Sequence, residues 1–324
     1  MRAQDLPEFK NMPKVEGMPH GTAWGLWDKN GEKDSNGSLN LLTPENTLEA
    51  QKEIRTGQGV ALNWDLKCLD CPGFDRQVPT HEFKDLKHLG FVAFDDSIHI
   101  NTQSGSQWDG FRHWGHQTTG LYYNNLKHEE IPNPSHAEQN GIHQWTRRGG
   151  IVGRGVLIDY VSYAEKHGIE YSPVSRYEIS IQDVETIAKE QGVEFRPADI
   201  LIIRSGWVKW YNSASPEERI RGAQERHDHV GLVASAESVE WLWNHHFAAV
   251  AGDTIAFEAF PPKGSYILHD YLLAMFGTPI GELWNLEELA EVCKKEKRYS
   301  FFFTSAPLNV YGGVASPPNA LAIF

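Results

Sequence analysis

The unbroken apolar run Ile200-Leu201-Ile202-Ile203 lies between Asp199 and Arg204 and predicts a strand buried on both faces. A second buried strand is expected over Phe247 to Ile255, ending at Gly252-Asp253-Thr254. Gly149 to Tyr160 reads as a glycine-punctuated strand, and Val60–Trp64, Pro279–Leu283, Phe301–Phe303 and Ala320–Phe324 as shorter ones. Between these runs the spacing changes to that of helices. Ile181, Val184, Ile187 and Ala188 share one face of a helix over Ile181–Gln191, capped by Ser180. Ser235–Trp243, Ile267–Phe276 (stopped by Gly277) and Leu286–Lys294 follow the same pattern. Thr43 as N-cap and Pro44 at the first helical position open a further helix that Gly57 and Gly59 bring to a close. Such alternation predicts an α/β domain.

The remaining segments are polar. Residues 1–38 read as an N-terminal arm that Trp24 and Trp27 tack onto the body, which leaves 39–324 as a single domain. Residues 120–148, with His128, His136 and His143, are expected to pass over the mouth of a pocket, and 212–230 to form a charged loop.

Composition narrows the function. Apolar residues make up 40% and charged residues 23% of the chain, values ordinary for a globular protein. The formal charge of -13 argues against nucleic acid as a partner, since phosphate binding needs clustered Lys and Arg. No apolar run reaches the roughly 18 residues of a membrane span. The start of the chain lacks a signal-peptide core, and three cysteines suit a reducing compartment, so a cytoplasmic location is expected. Cys68 and Cys71 have no second pair to complete a zinc ribbon. Gly153 and Gly155 lack the third glycine of a nucleotide loop, and no G-x-S-x-G elbow is present.

Candidate chemistry concentrates in Gln103–His116, Q-S-G-S-Q-W-D-G-F-R-H-W-G-H, which follows two short β-rich runs, Phe91–Phe94 and Ser97–Ile100. Gln107, Asp109, His113 and His116 are all capable of metal coordination or proton transfer. An extended backbone would aim Gln103, Gly105, Gln107 and Asp109 to one face. A polar loop that only satisfies its own backbone is the other reading of the same residues.

The stretch resembles the signature H-x-G-T-H-x-D-x-P-x-H of the metal-dependent cyclase family, which includes kynurenine formamidases and isatin hydrolases. Gly105, Asp109 and His113 match; Ser106 and Phe111 replace threonine and proline, and Gln103 and Gln107 replace the two leading histidines. L-N-L-L-T-P-E, G-R-G-V-L-I-D-Y, D-I-L-I-I-R-S-G-W and G-G-V-A-S-P also look like family segments, so the likeness runs from about residue 39 to the end. It implies a swivelling β/β/α fold with a central mixed sheet flanked by helices. It also implies a late histidine and glutamate, which His269 in L-H-D-Y-L-L and Glu282 in P-I-G-E-L-W match.

From this resemblance the expected metal shell is Asp109, His269 and Glu282, completed by Gln103 and Gln107, around one zinc or manganese ion. His113 and Glu282 are the expected catalytic groups. Trp108, Phe111, Trp114, Trp207 and His229 are the expected substrate contacts. The implied reaction opens an amide or lactone bond in a small cyclic or aromatic substrate. The alternative is a family member without metal that binds a small molecule or acts through His113. A homodimer or homotetramer is expected, with arms crossing between subunits.

Overall fold

The computed structural model describes residues 3–324; Met1 and Arg2 of the expected arm lie outside the described residues. Its centre is a nine-stranded mixed sheet. Ile151–Asp159, Ile200–Arg204, Ala249–Gly252 and Ile280–Glu282 run parallel in that spatial order. Their side chains are almost all buried, because helices cover the sheet and leave no polar face. Antiparallel strands extend both ends. On one side Ser300–Ser305, Ala320–Ile323 and Gly59–Ala61 follow one another. On the other, Gln107–Asp109 pairs with Ile280–Glu282, and Ala315–Ser316 forms the edge.

The predicted helices form with the expected caps. Ser180 accepts from Asp183 N in a capping box on Ile181–Gln191, and Ser235 caps Ala236–Asn244. Thr43 caps Pro44–Ala50, but the α-helix is shorter than expected and passes into a 3-10 turn at Gln51–Glu53. Three expectations are corrected. The charged 212–230 segment holds a capped helix, Pro216–Ile220, and a π-turn, Arg221–Glu225. Of the two short runs before Gln103, residues 91–93 lie in a connecting turn, and a single strand, Phe94–His99, follows them and is hairpinned to Thr80–Asp85. Residues 101–106 turn instead of continuing that strand. The turn lets Ser106 Oγ accept from Trp64 N at 2.7 Å and reach Leu283 O, so side chains brace it.

Two features place the site. The first is register: Gln107 lies opposite Glu282, and Trp108 opposite Gly281. Alternation then sends Gln107, Asp109 and Glu282 to one face and Trp108 to the other. A slip of one residue would exchange the polar set for the tryptophan. The second is the helical turn after His269, a π-helix over Asp270–Phe276 ended by Gly277 in the left-handed region. The N-terminal segment lies along it. Ala23 N donates to Met275 O, Trp24 Nε1 to Ala274 O at 2.7 Å, and Ser38 N to Gly277 O at 2.8 Å. Trp27 meets Trp243 edge-on.

Gly281 fits this packing because a Cβ there would lie 2.7 Å from both Ala251 and the Trp284 ring. Gly281→Ala is expected to destabilise the protein by about 1–3 kcal/mol through overpacking. The check is a lower urea midpoint with an unchanged m-value.

Candidate metal centre

Four segments converge on one polar cluster: the 101–106 turn, the Gln107–Asp109 strand, the Ile280–Glu282 strand and the start of the helix at His269. Asp109, His113 and His269 each bring a ligand atom within 4.8 Å of the others. Asp109 is fully buried, whereas the His113 side chain is 20% exposed, which makes it the member nearest solvent.

The two glutamines organise the carboxylates. Gln107 Nε2 donates to Asp109 Oδ1 at 3.1 Å and to Glu282 Oε2 at 2.9 Å. Gln103 Nε2 donates to Asp109 Oδ1 at 2.9 Å and lies 2.8 Å from His113 Nδ1. Gln103 therefore turns its nitrogen, not the expected oxygen, toward the cluster. An acceptor-only carboxylate beside it selects the donor end of the amide.

Below these contacts three buried oxygens have no donor: Gln107 Oε1, Asp109 Oδ2 and Glu282 Oε1. Glu282 Oε1 lies 3.2 Å from His269 Nε2, so among the described residues its one neighbour of opposite charge is that imidazole. Buried acceptors left unpaired are costly. Asp109, His113 and His269 bring ligand atoms close enough together for one divalent cation, and carboxylate and imidazole are donors that zinc and manganese accept. The residues present fit such an ion.

Electrostatics point the same way. Burial, together with the charge of Asp109, pushes Glu282 up to about 7. Burial holds His113 below the usual imidazole range, only partly offset by Asp109. Burial alone would lower His269 as well, but Glu258 and then Glu282 outweigh it and raise it well above that range.

Glu258 is a site residue that the sequence reading missed. Its Oε2 sits 2.8 Å from His269 Nδ1, and its Oε1 accepts from His269 N at 3.2 Å, which orients the ring so that Nε2 faces Glu282. A carboxylate behind a metal-facing imidazole fixes its tautomer and raises its basicity. The signal was there: an acid inside the apolar run I-A-F-E-A-F must have a buried partner. Arg76 was also missed. It donates to Gln103 O at 2.8 Å and its charge reaches both His113 and Glu282.

The expected substrate contacts divide. Trp114 is at the site, its ring 5.2 Å from that of His269 and its Nε1 donating to Asp270 Oδ1 at 2.6 Å. Trp108 and Phe111 are corrected to core residues. Trp108 points through the sheet to Trp284 and Trp145, with Nε1 on Ser305 Oγ, and Phe111 packs on Tyr123 and Trp145. Trp207 stacks on Tyr211 in a separate apolar cluster with Trp64 and Leu283. His229 is buried against Phe260 and the edge of Trp207. Its nitrogens lack hydrogen-bond partners, and burial pushes the ring down to about 3. Among the described residues, neither Trp207 nor His229 makes the ring contacts with His113 and His269 that Trp114 makes.

Glu282 gives a pH test in chelator-treated protein. Its folded pKa of about 7 exceeds the ordinary unfolded value of about 4.3, so the folded state keeps a proton that the unfolded state releases. Stability contributed by this group is therefore present at low pH and is lost as pH rises through about 7. Comparing denaturation midpoints on the two sides of that window, Glu282→Gln is expected to show a smaller fall than the native protein. An equal fall would contradict the assignment.

Comparison with known proteins agrees with this fold. A crystal structure of a novel cyclase superposes with a TM-score of 0.79 at 29% identity, covering 94% of this chain and 99% of the other. Isatin hydrolase A from Ralstonia solanacearum shares the fold with a TM-score of 0.58 at 17% identity, over 86% of this chain and 97% of its own. An isatin hydrolase bound to the product analogue thioisatinate does so with a TM-score of 0.56 at 16% identity, covering 87% and 99%. Comparison with curated proteins yields no match. The cyclase family model matches residues 62–259, more than half of the 324 residues, and with the central mixed sheet this places the chain in the cyclase family.

Proposed function

We propose that the protein is a metal-dependent hydrolase that opens the amide or lactone bond of a small cyclic or aromatic substrate. The observation that carries this reading is the cluster of Asp109, His113 and His269, whose ligand atoms lie within 4.8 Å of one another, with Asp109 Oδ2 buried and without a donor. Asp109, His113 and His269 would hold one zinc or manganese ion, with Gln107 Oε1 as a further oxygen. Such an ion supplies Lewis-acid polarisation of a carbonyl oxygen.

The chain's own residues do the rest. Glu282, whose Oε1 is buried 3.2 Å from His269 Nε2, is the carboxylate that would take a proton and return it to the leaving group. Glu258 keeps His269 oriented, and Asp270 keeps Trp114 beside it as an aromatic wall for a planar substrate. Arg76 places positive charge near His113 and Glu282, where it could meet a product carboxylate. His113, partly exposed, borders the way in.

A second reading has its own observation. His269 between Glu258 and Glu282 is held as an imidazolium, so its own charge could stand where the ion would, in a metal-free protein that binds a small molecule.

Elemental analysis of unchelated protein separates the two. Near-stoichiometric zinc or manganese, abolished in both Asp109→Ala and His269→Ala, is expected, together with hydrolysis of a lactone or aryl formamide that depends on the metal. Protein that stays metal-free after incubation with both ions would overturn the hydrolase reading. Glu258→Gln is expected to bind the ion about 10–100-fold more weakly in a competition titration, since it leaves the imidazole without its carboxylate.

A further inference from the structure

We propose that the turn over residues 73–76 sets specificity: Arg76 takes an anionic group that the substrate carries apart from the bond being opened. The substrate class is then a planar amide or lactone that also bears a carboxylate. The proposal rests on the hydrolase reading for the bond that is cleaved, but capture of the anion needs no chemistry at the metal centre. Arg76 Nη1 donates to Gln103 O at 2.8 Å, and the guanidinium lies over the Phe74 ring, 5.2 Å from its centroid. These contacts fix the plane of the group and leave most of its five N–H donors uncommitted. Among the described residues Arg76 has no carboxylate partner, whereas Arg154, Arg204 and Arg298 are each paired with one or more.

The turn is held in an unfavourable shape to present these side chains. Phe74 and Asp75 both lie in the left-handed region, with φ of 57° and 54°, which bulky side chains seldom adopt. Neighbouring contacts impose that shape. A Cβ on Gly73 would lie 2.5 Å from Ala223 O, so glycine alone lets the chain pass there, and Arg76 N donates to Gly73 O at 3.2 Å. Phe74 stacks on His227 with ring centroids 5.2 Å apart and meets Phe260 edge-on at 6.3 Å, yet it stays 50% exposed. The ring therefore supports the guanidinium from a position open to solvent.

Gln103 joins this turn to the candidate metal centre. The residue whose carbonyl receives Arg76 places its own Nε2 2.9 Å from Asp109 Oδ1 and 2.8 Å from His113 Nδ1. The guanidinium is near enough for its charge to bear on both His113 and Glu282. A cation has a purpose here. Asp109, Glu258 and Glu282 are buried carboxylates that would repel an anionic substrate at short range, and the chain's formal charge of -13 would do so at longer range. A guanidinium that stays protonated offsets this repulsion, and its planar fork matches the two oxygens of a carboxylate. Bracing Gln103 O needs one donor only; the others are free for the anion. Trp114, beside His269, is the wall against which the ring of such a substrate would lie.

The test is calorimetric binding of the ortho, meta and para formamidobenzoates, each against its neutral formamidobenzamide, to the unchelated full chain. The native protein is expected to favour at least one benzoate over its benzamide by about 10-fold or more in Kd, the scale of a charge-assisted hydrogen bond. In Arg76→Gln that ratio is expected to fall to about one, and in Arg76→Lys to recover in part. A ratio taken within one variant is insensitive to loss of folded protein, and a merely bracing arginine would weaken both compounds of a pair alike. The two readings fail separately: hydrolysis of no member of the series tells against the hydrolase, whereas the binding ratio alone decides the role of Arg76. Equal binding of charged and neutral compounds by the native protein would overturn the proposal. So would a preference that Arg76→Gln leaves intact, because the anion would then sit on the metal or another cation.

Discussion

The structure depends on one register: the antiparallel pairing that sets Gln107 opposite Glu282. The pairing brings two buried carboxylates, Asp109 and Glu282, to one face of adjacent strands, where their mutual repulsion and loss of water are costly. Gln107 reduces that cost by donating to both. It leaves Asp109 Oδ2 and Glu282 Oε1 unpartnered, so the arrangement is complete only when positive charge arrives. His269 brings part of that charge, and a divalent cation would bring more.

Much of the surrounding chain keeps this cluster in place. Gly281 admits the Trp284 ring on the far face, and Trp108, wedged between Trp284 and Trp145, pins the strand against slipping. The N-terminal segment bonds along the π-helical turn after His269. Elsewhere, buried charges are structural. Arg204, at the end of a central strand where sites often lie, is occupied by Asp159 and Glu287. Asp253 accepts from Ser205 N, Ser205 Oγ and Gly206 N and so closes the same strand end.

The replacement of two imidazoles by amides changes what the site can do. Glutamine offers both a donor and an acceptor, whereas a neutral imidazole offers one of each only through opposite ring edges. Gln103 uses its donor on Asp109 and His113, and Gln107 uses its donor on two carboxylates while keeping an oxygen free.

Local chemistry made much of this legible in the linear chain. Apolar runs and capping residues placed the central strands and the helices at Ser180 and Ser235, because burial on both faces and cap hydrogen bonds leave signatures within a few residues. The motif residues Asp109, His113, His269 and Glu282 do meet. The sequence could not decide which way Trp108 and Phe111 face, that Gln103 reaches the cluster by a turn, or that Glu258 stands behind His269. Those outcomes depend on strand register and on contacts between distant segments, which no local pattern encodes. The sequence by itself determined the elements and the candidate donors; only the tertiary structure decided which oxygens were left without partners, because burial and pairing are properties of the packed chain.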